Sequence, residues 1–167
     1  MYVEASFDGG RTWNGSRDGS GEPVRVNADR GTHFFPAVVA GRPGRVGVAY
    51  IATRTRIATL PYGKPAPGGG DGARWFVYAA FTPSVRAKDP DWQVSRITRR
   101  PIHVGDVCTL GIFCSVFPTA NRDLLDFIDA ALDGGGRLHV AYTNDRTKRA
   151  AGIYVANQTG GPSLTAP

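Results

Sequence analysis

Residues 34–55 read "FFPAVVAGRPGRVGVAYIATRT" and residues 126–147 read "DFIDAALDGGGRLHVAYTNDRT", an internal repeat without a gap. The pairs Phe35/Phe127, Gly44/Gly136, Arg45/Arg137, Val48/Val140, Ala49/Ala141, Tyr50/Tyr142, Arg54/Arg146 and Thr55/Thr147 coincide. Each copy is an apolar run, a Gly-rich turn and a second apolar run reaching a Tyr. That pattern predicts a β-hairpin, made twice. A further strand-like run follows each copy, "RWFVYAAF" at 74–81 and "GIYVAN" at 152–157. The first of these leads into "DPDWQVSRI", a turn and a fourth strand. No helical periodicity separates the runs, which excludes a doubly wound α/β chain.

The stretch "SFDGGRTW", residues 6–13, predicts a turn of a second kind. An Asp accepts hydrogen bonds from backbone N–H groups a few residues on, and Gly supplies positive φ where the chain reverses. Strand-like runs flank it, Tyr2-Val3-Glu4-Ala5 before and "PVRVNA" after, so a hairpin is expected. Ser6 and Thr12 can satisfy further turn groups, and Trp13 offers a large apolar face to bury. No nucleophile–base pair is visible in it. Its predicted role is structural.

Ser6, Asp8, Gly10, Thr12 and Trp13 resemble the Asp-box, or BNR repeat, of sialidases and related β-propellers. Asp91-Trp92 looks like a weaker echo of it. With the repeat, the resemblance implies an all-β chain built as a partial β-propeller of four-stranded antiparallel blades. Just over two blades are expected: pieces at about 2–29, 34–98 and 126–158 within a unit spanning 1–160, then a C-terminal tail at 161–167. Propellers close with about four to eight blades. The expected partners are therefore the missing blades of a longer protein or further copies of the chain.

Composition narrows the function classes. A chain of 167 residues with 41% hydrophobic and 20% charged content can bury a core. Its 22 Gly and 12 Pro fall between apolar runs, as short strands joined by turns require. The net charge of +6 comes from 20 basic residues, 17 of them Arg scattered from Arg11 to Arg149. No run of basic residues is longer than two, as at Arg99-Arg100, so no nucleic-acid partner is expected. No membrane partner is expected either, since no stretch approaches the ~20 apolar residues of a span. No signal peptide is visible in "MYVEASFDGG".

In this architecture one face of the sheet ends carries residues 27–34, 53–73, 99–126 and 143–150, and sites are sought there. Cys108 and Cys114, with five residues between them, suit a bridge pinning a loop; free thiols are the alternative. Zinc is a poor fit, because only His103 lies near and a second ligand pair is missing, so no metal and no cofactor are expected. His33 and His103 read as lone surface groups in loops. The segment 99–147, with its "HVGDVCTLGIFCS" opening, is similar to exported bacterial proteins of the sialidase-like group. With the cysteine pair, that resemblance implies an extracellular or secreted protein.

Sialidases hold the substrate carboxylate with three arginines, use a Tyr activated by a Glu as nucleophile, and an Asp as acid/base. The resemblance implies part of an exo-α-sialidase-type glycoside hydrolase acting on a sialoglycoconjugate, incomplete as an enzyme by itself. A non-catalytic Asp-box propeller binding glycans or proteins is the alternative. Ligand-binding candidates are Arg54 and Arg146, at equivalent positions of the repeat, and Arg122, which is not repeated. Asp126 and Asp129 replace Phe34 and Ala37 of the other copy, and a carboxylate there needs partners or water. No catalytic residue is assigned. The chain has only Glu4 and Glu22, and neither is placed for a Tyr/Glu pair.

Overall fold

The computed structural model describes residues 1–13, 22–57, 72–108, 124, 127–146 and 151–166. These residues form ten strands and, among them, no helix: β1 (Tyr2–Val3), β2 (Val24–Arg25), β3 (Thr32–Ala40), β4 (Val46–Thr53), β5 (Arg74–Thr82), β6 (Gln93–Arg96), β7 (His103–Val104), β8 (Ile128–Leu132), β9 (Leu138–Asn144) and β10 (Gly152–Asn157). The fold is all-β, as the repeat predicts. Strands β3-β4-β5-β6 make an antiparallel meander, and β7 pairs with the start of β5. Strands β8-β9-β10 make a second meander, β1-β2 a two-stranded sheet, and no sheet closes on itself.

The two copies of the repeat share one register. Ala37 faces Ala49 and Val38 faces Val48 in the first; Asp129 faces Ala141 and Ala130 faces Val140 in the second. The equivalence extends to the third strand, where Tyr50 faces Tyr78 and Tyr142 faces Tyr154. Both tyrosine pairs are ring-stacked, with centroids 5.7 and 6.1 Å apart.

Every residue of β4 is buried because its run "VGVAYIAT" is covered on both sides. On one face Ala49, Ile51, Trp75, Val77, Ala79 and Phe81 pack against Leu138 and Val140 of β9 and the inward residues of β8. On the other, Val46, Val48, Tyr50, Ala52 and Ala80 meet Val26, Val3, Ala5 and Phe7 from the β1–β2 side. The central sheet is thus sandwiched. A bulge interrupts β3 between Phe34 and Ala37, where Phe35 takes a φ of 51° before Pro36, which has no N–H to donate. Successive strand residues normally point to opposite faces. The bulge lets Phe34 and Phe35 both pack on the same core, Phe34 stacking on Trp75 at 5.1 Å.

The residues after β10 strap the two repeats together. Arg42 N–H donates to the Leu164 carbonyl (2.8 Å), and Leu164 N–H donates to that of Gly136 (2.9 Å). Leu164 is 1% exposed, inside the main core. The Arg45 guanidinium donates to the Ser163 and Ala166 carbonyls. A Cβ on Gly41 would fall 2.1 Å from the Leu164 carbonyl oxygen, and one on Gly136 2.2 Å from Thr165 Oγ1. Gly136 also has a φ of 71°, so both its backbone and its neighbours exclude a side chain.

The Ser6–Trp13 turn holds itself. Asp8 Oδ1 accepts from Arg11 N–H (3.0 Å), Thr12 N–H (2.9 Å) and Ser6 Oγ (2.8 Å), while Asp8 Oδ2 accepts from Thr12 Oγ1 (2.8 Å). Gly9 and Gly10 supply φ values of 77° and 86°. Trp13 departs from expectation: it is 62% exposed and belongs to neither core, because the turn projects beyond the short β1–β2 pairing. The Thr12 backbone bond above all, then the Thr12 and Ser6 hydroxyls, hold the Asp8 carboxyl far below its ordinary range, at about 2. A depressed carboxylate contributes stability above its unfolded value of 3.8 and loses it as pH falls through its folded value. The turn is therefore expected to persist through mild acid and open only between pH about 4 and about 2. NMR titration of the Asp8 carboxyl checks this; a midpoint near 4 would remove the turn's hydrogen bonds as its cause.

Candidate functional site

Side chains alternate across a strand, so Tyr50 and Ala52 share one face of β4, and Arg54 follows just past the end of that strand at Thr53. Arg74, Phe76 and Tyr78 share that face on β5, and Arg96 of β6 lies directly opposite Tyr78. Arg74 of β5, Arg96 of β6 and Arg54, just past the end of β4, thus meet at one end of the central sheet. Arg54, Arg74 and Arg96 line a cleft of about 290 Å³ with Phe76, Tyr78 and Thr55. Arg96 sits over the Phe76 ring, 4.7 Å from its centroid, which fixes the guanidinium by a cation–π contact. Among the described residues no ion pair joins any of the three to a carboxylate. Three unneutralised guanidinium forks around an aromatic floor favour a planar anion such as a carboxylate.

Beneath the cleft Tyr78 stacks on Tyr50, whose hydroxyl is buried without a hydrogen-bond partner. Burial, with the Asp29 charge and Tyr78 adding to it, pushes the Tyr50 hydroxyl well above the ordinary tyrosine range. It stays a neutral phenol. On its far side Asp29, Asn27 and His33 form a linked cluster, with His33 Nε2 3.0 Å from Asp29 Oδ1 and Asp29 Oδ1 accepting from Gly31 N–H at 2.8 Å. Asn27 Nδ2 donates to Asp29 Oδ2 at 3.2 Å. The His33 side chain is only 9% exposed.

His33 and His103 are thus not lone surface groups. His103 is 1% exposed, its Nδ1 pairs with the Asp145 carboxylate, and its Nε2 lies 3.0 Å from the Asp106 carbonyl. Asp145 N–H in turn donates to the Ile102 carbonyl at 3.1 Å. This pair ties β7 to the end of β9. The correction has a simple cause, since the partner that buries the ring lies far along the chain.

Of the predicted ligand residues, Arg54 lines the cleft. Arg146 is exposed beyond β9, its N–H donating to Asn144 Oδ1 at 2.9 Å, and does not line the cleft with Arg54. Asp129 faces away from the core and reaches solvent, accepting from the adjacent Ala130 N–H at 2.8 Å. Arg122 and Asp126 lie outside the described residues. Cys108 is described and Cys114 is not, and among the described residues there is no free cysteine. No group of three His, Cys, Asp or Glu residues suited to a metal occurs among the described residues. Arg74 and Arg96 were not singled out from the sequence. The available signal was their even spacing from Tyr78 and Val94, usable only once the strand pairing is known.

Comparison with family models, with curated proteins and with solved structures finds no match.

Proposed function

We propose that the chain is part of a sialidase-like Asp-box β-propeller that recognises an acidic glycan outside the cell. The self-bonded Ser6–Trp13 turn and the two equivalent meanders, with β8 packed against β3 and β4, support blade-like stacking. The observation that carries the function is the cleft of Arg54, Arg74 and Arg96, which suits the carboxylate of a sialic-acid-type sugar. Recognition is favoured over hydrolysis within these residues. Glu4 and Glu22 are both exposed and neither lines the cleft, and the Tyr50 phenol nearby is buried and neutral. An exo-α-sialidase reading would draw its Tyr/Glu pair from elsewhere in the protein.

Calorimetric titration of the full chain with sialic acid and with its methyl ester tests the proposal. The acid should bind and the ester should bind at least roughly ten-fold more weakly, the loss of charge-assisted hydrogen bonds costing ~1.5–3 kcal/mol. Arg74→Gln and Arg96→Gln should each weaken the acid to a similar degree, and binding should fall with added salt. Equal affinity for acid and ester, or unchanged affinity in both variants, would discard the reading. Release of sugar from a sialoside would move it to the hydrolase.

A further inference from the structure

β10 is an edge of the second meander, and among the described residues no strand pairs with its outer side. It holds the place that β5 holds in the first meander, since Tyr154 faces Tyr142 as Tyr78 faces Tyr50. By that equivalence Ile153 and Val155 stand where Val77 and Ala79 do. On β5 the outer side is covered: β6 runs antiparallel along it, and the Val77 carbonyl accepts from Ile97 N–H at 2.9 Å. On β10 it is open, with Ile153 76% and Val155 60% exposed where Val77 and Ala79 are buried. The backbone agrees. Gln158 N–H donates to the Leu138 carbonyl at 2.9 Å, in step with the β9–β10 register. Bonded and non-bonded pairs alternate along an antiparallel ladder, so Tyr154 and Ala156 turn their backbone groups to β9. Ile153 and Val155 turn theirs outward.

We infer that β10 pairs antiparallel with β10 of a second copy of this chain, about a two-fold axis at Tyr154. The strand's own symmetry names the occupant. Outward from Tyr154 the sequence is β-branched and then small in both directions, Ile153 and Gly152 one way, Val155 and Ala156 the other. Pairing centred there sets Ile153 opposite Val155 of the second copy, and the reverse, so the outward backbone groups meet one another. β-branched side chains then face β-branched ones, and Tyr154 lies beside its counterpart, prolonging the Tyr142–Tyr154 stack. The other sheet edges are blunted against such pairing. β3 has its bulge and Pro36, β6 carries Arg96, β8 carries Asp129, and β1, β2 and β7 are two residues each. β10, "GIYVAN", has no charge, no proline and no break in register over its six residues. The contact uses up both open edges, so association stops at two copies. It lies on the other meander from the arginine cleft and does not rest on the acidic-glycan reading.

Sedimentation equilibrium of the full chain over a concentration series tests this. A strand edge is smaller than a standard interface, so a monomer–dimer equilibrium with a Kd of roughly 10–100 µM is expected. Added salt should tighten it by screening the +6 charge on each copy, the opposite of its effect on a ligand in the cleft. Ile153→Lys with Val155→Lys sets like charges opposite one another across the axis and should weaken pairing at least roughly ten-fold. Ile153→Lys with Val155→Glu sets opposite charges there and should restore it to within about three-fold of wild type. Both double variants alter exposed side chains, and circular dichroism should match that of the wild type. A chain that stays monomeric at ~1 mM, or a dimer that neither double variant affects, would overturn the inference. Loss of the dimer in both would overturn the register about Tyr154, and assemblies larger than two would overturn the two-fold contact.

Discussion

Trp75→Ala is expected to cost about 3–5 kcal/mol of stability, the largest single loss from this chain. Trp75 is fully buried, stacks on Phe34 at 5.1 Å, and sits where the central sheet meets the second meander. Truncation leaves a cavity that both sheets line, and well-packed strands cannot collapse to fill it. It also removes the indole donor to the Gly105 carbonyl (2.8 Å), so the segment entering β7 and leaving it loses an anchor. Urea unfolding should show a midpoint shifted to much lower denaturant with little change in slope. Trp75→Phe separates the two causes. It keeps most of the packing and loses the hydrogen bond, so its cost should be about 1–2 kcal/mol. A Trp75→Ala variant as stable as wild type would mean that the two sheets do not rest on this ring.

The second large effect is expected at His103. Replacing it with alanine leaves the Asp145 carboxylate, whose side chain is 12% exposed, without its partner. Breaking a buried pair from one side costs about 3–5 kcal/mol, because the remaining charge is uncompensated. Replacing both residues, His103→Leu with Asp145→Leu, removes the charge together with its partner and should recover a good part of that loss. Local opening is also expected, since the Asp145 N–H bonded to the Ile102 carbonyl joins the same two elements. Hydrogen exchange at the Asp145 amide should quicken in His103→Ala more than at Val48, deep in β4. Single and double variants of equal stability would show that the loss does not come from an uncompensated Asp145 charge.

What the sequence made legible was local. The hairpins follow from apolar runs flanking Gly44 and Gly136, and the Asp8 turn follows from residues within four positions of one another. Such signals survive in a one-dimensional reading because the interacting groups are neighbours in the chain. The arginine cleft was only one-third legible. Arg54 stood out because the repeat copies it as Arg146, whereas Arg74 and Arg96 join it only through the registers of β4, β5 and β6. His103 was misread for the same reason, its partner lying 42 positions away. Trp13 shows the opposite error: a large apolar residue invites burial, but a turn extending past its strands has nothing to cover it. Residues 161–167 read in the sequence as no more than a C-terminal tail. The order of 161–166 comes from one apolar side chain, Leu164, and from backbone bonds that composition does not encode.

That strap has a consequence for how the molecule answers a disturbance. Chains made of repeated units tend to respond piecemeal, each unit opening as its own weak neighbour contacts allow. Here Leu164 is bonded through its N–H to one copy of the hairpin and through its carbonyl to the other, with its side chain between them. Neither copy can open its turn without giving up a bond that also orders its twin. Two copies of one motif are thereby made to behave as a single cooperative body.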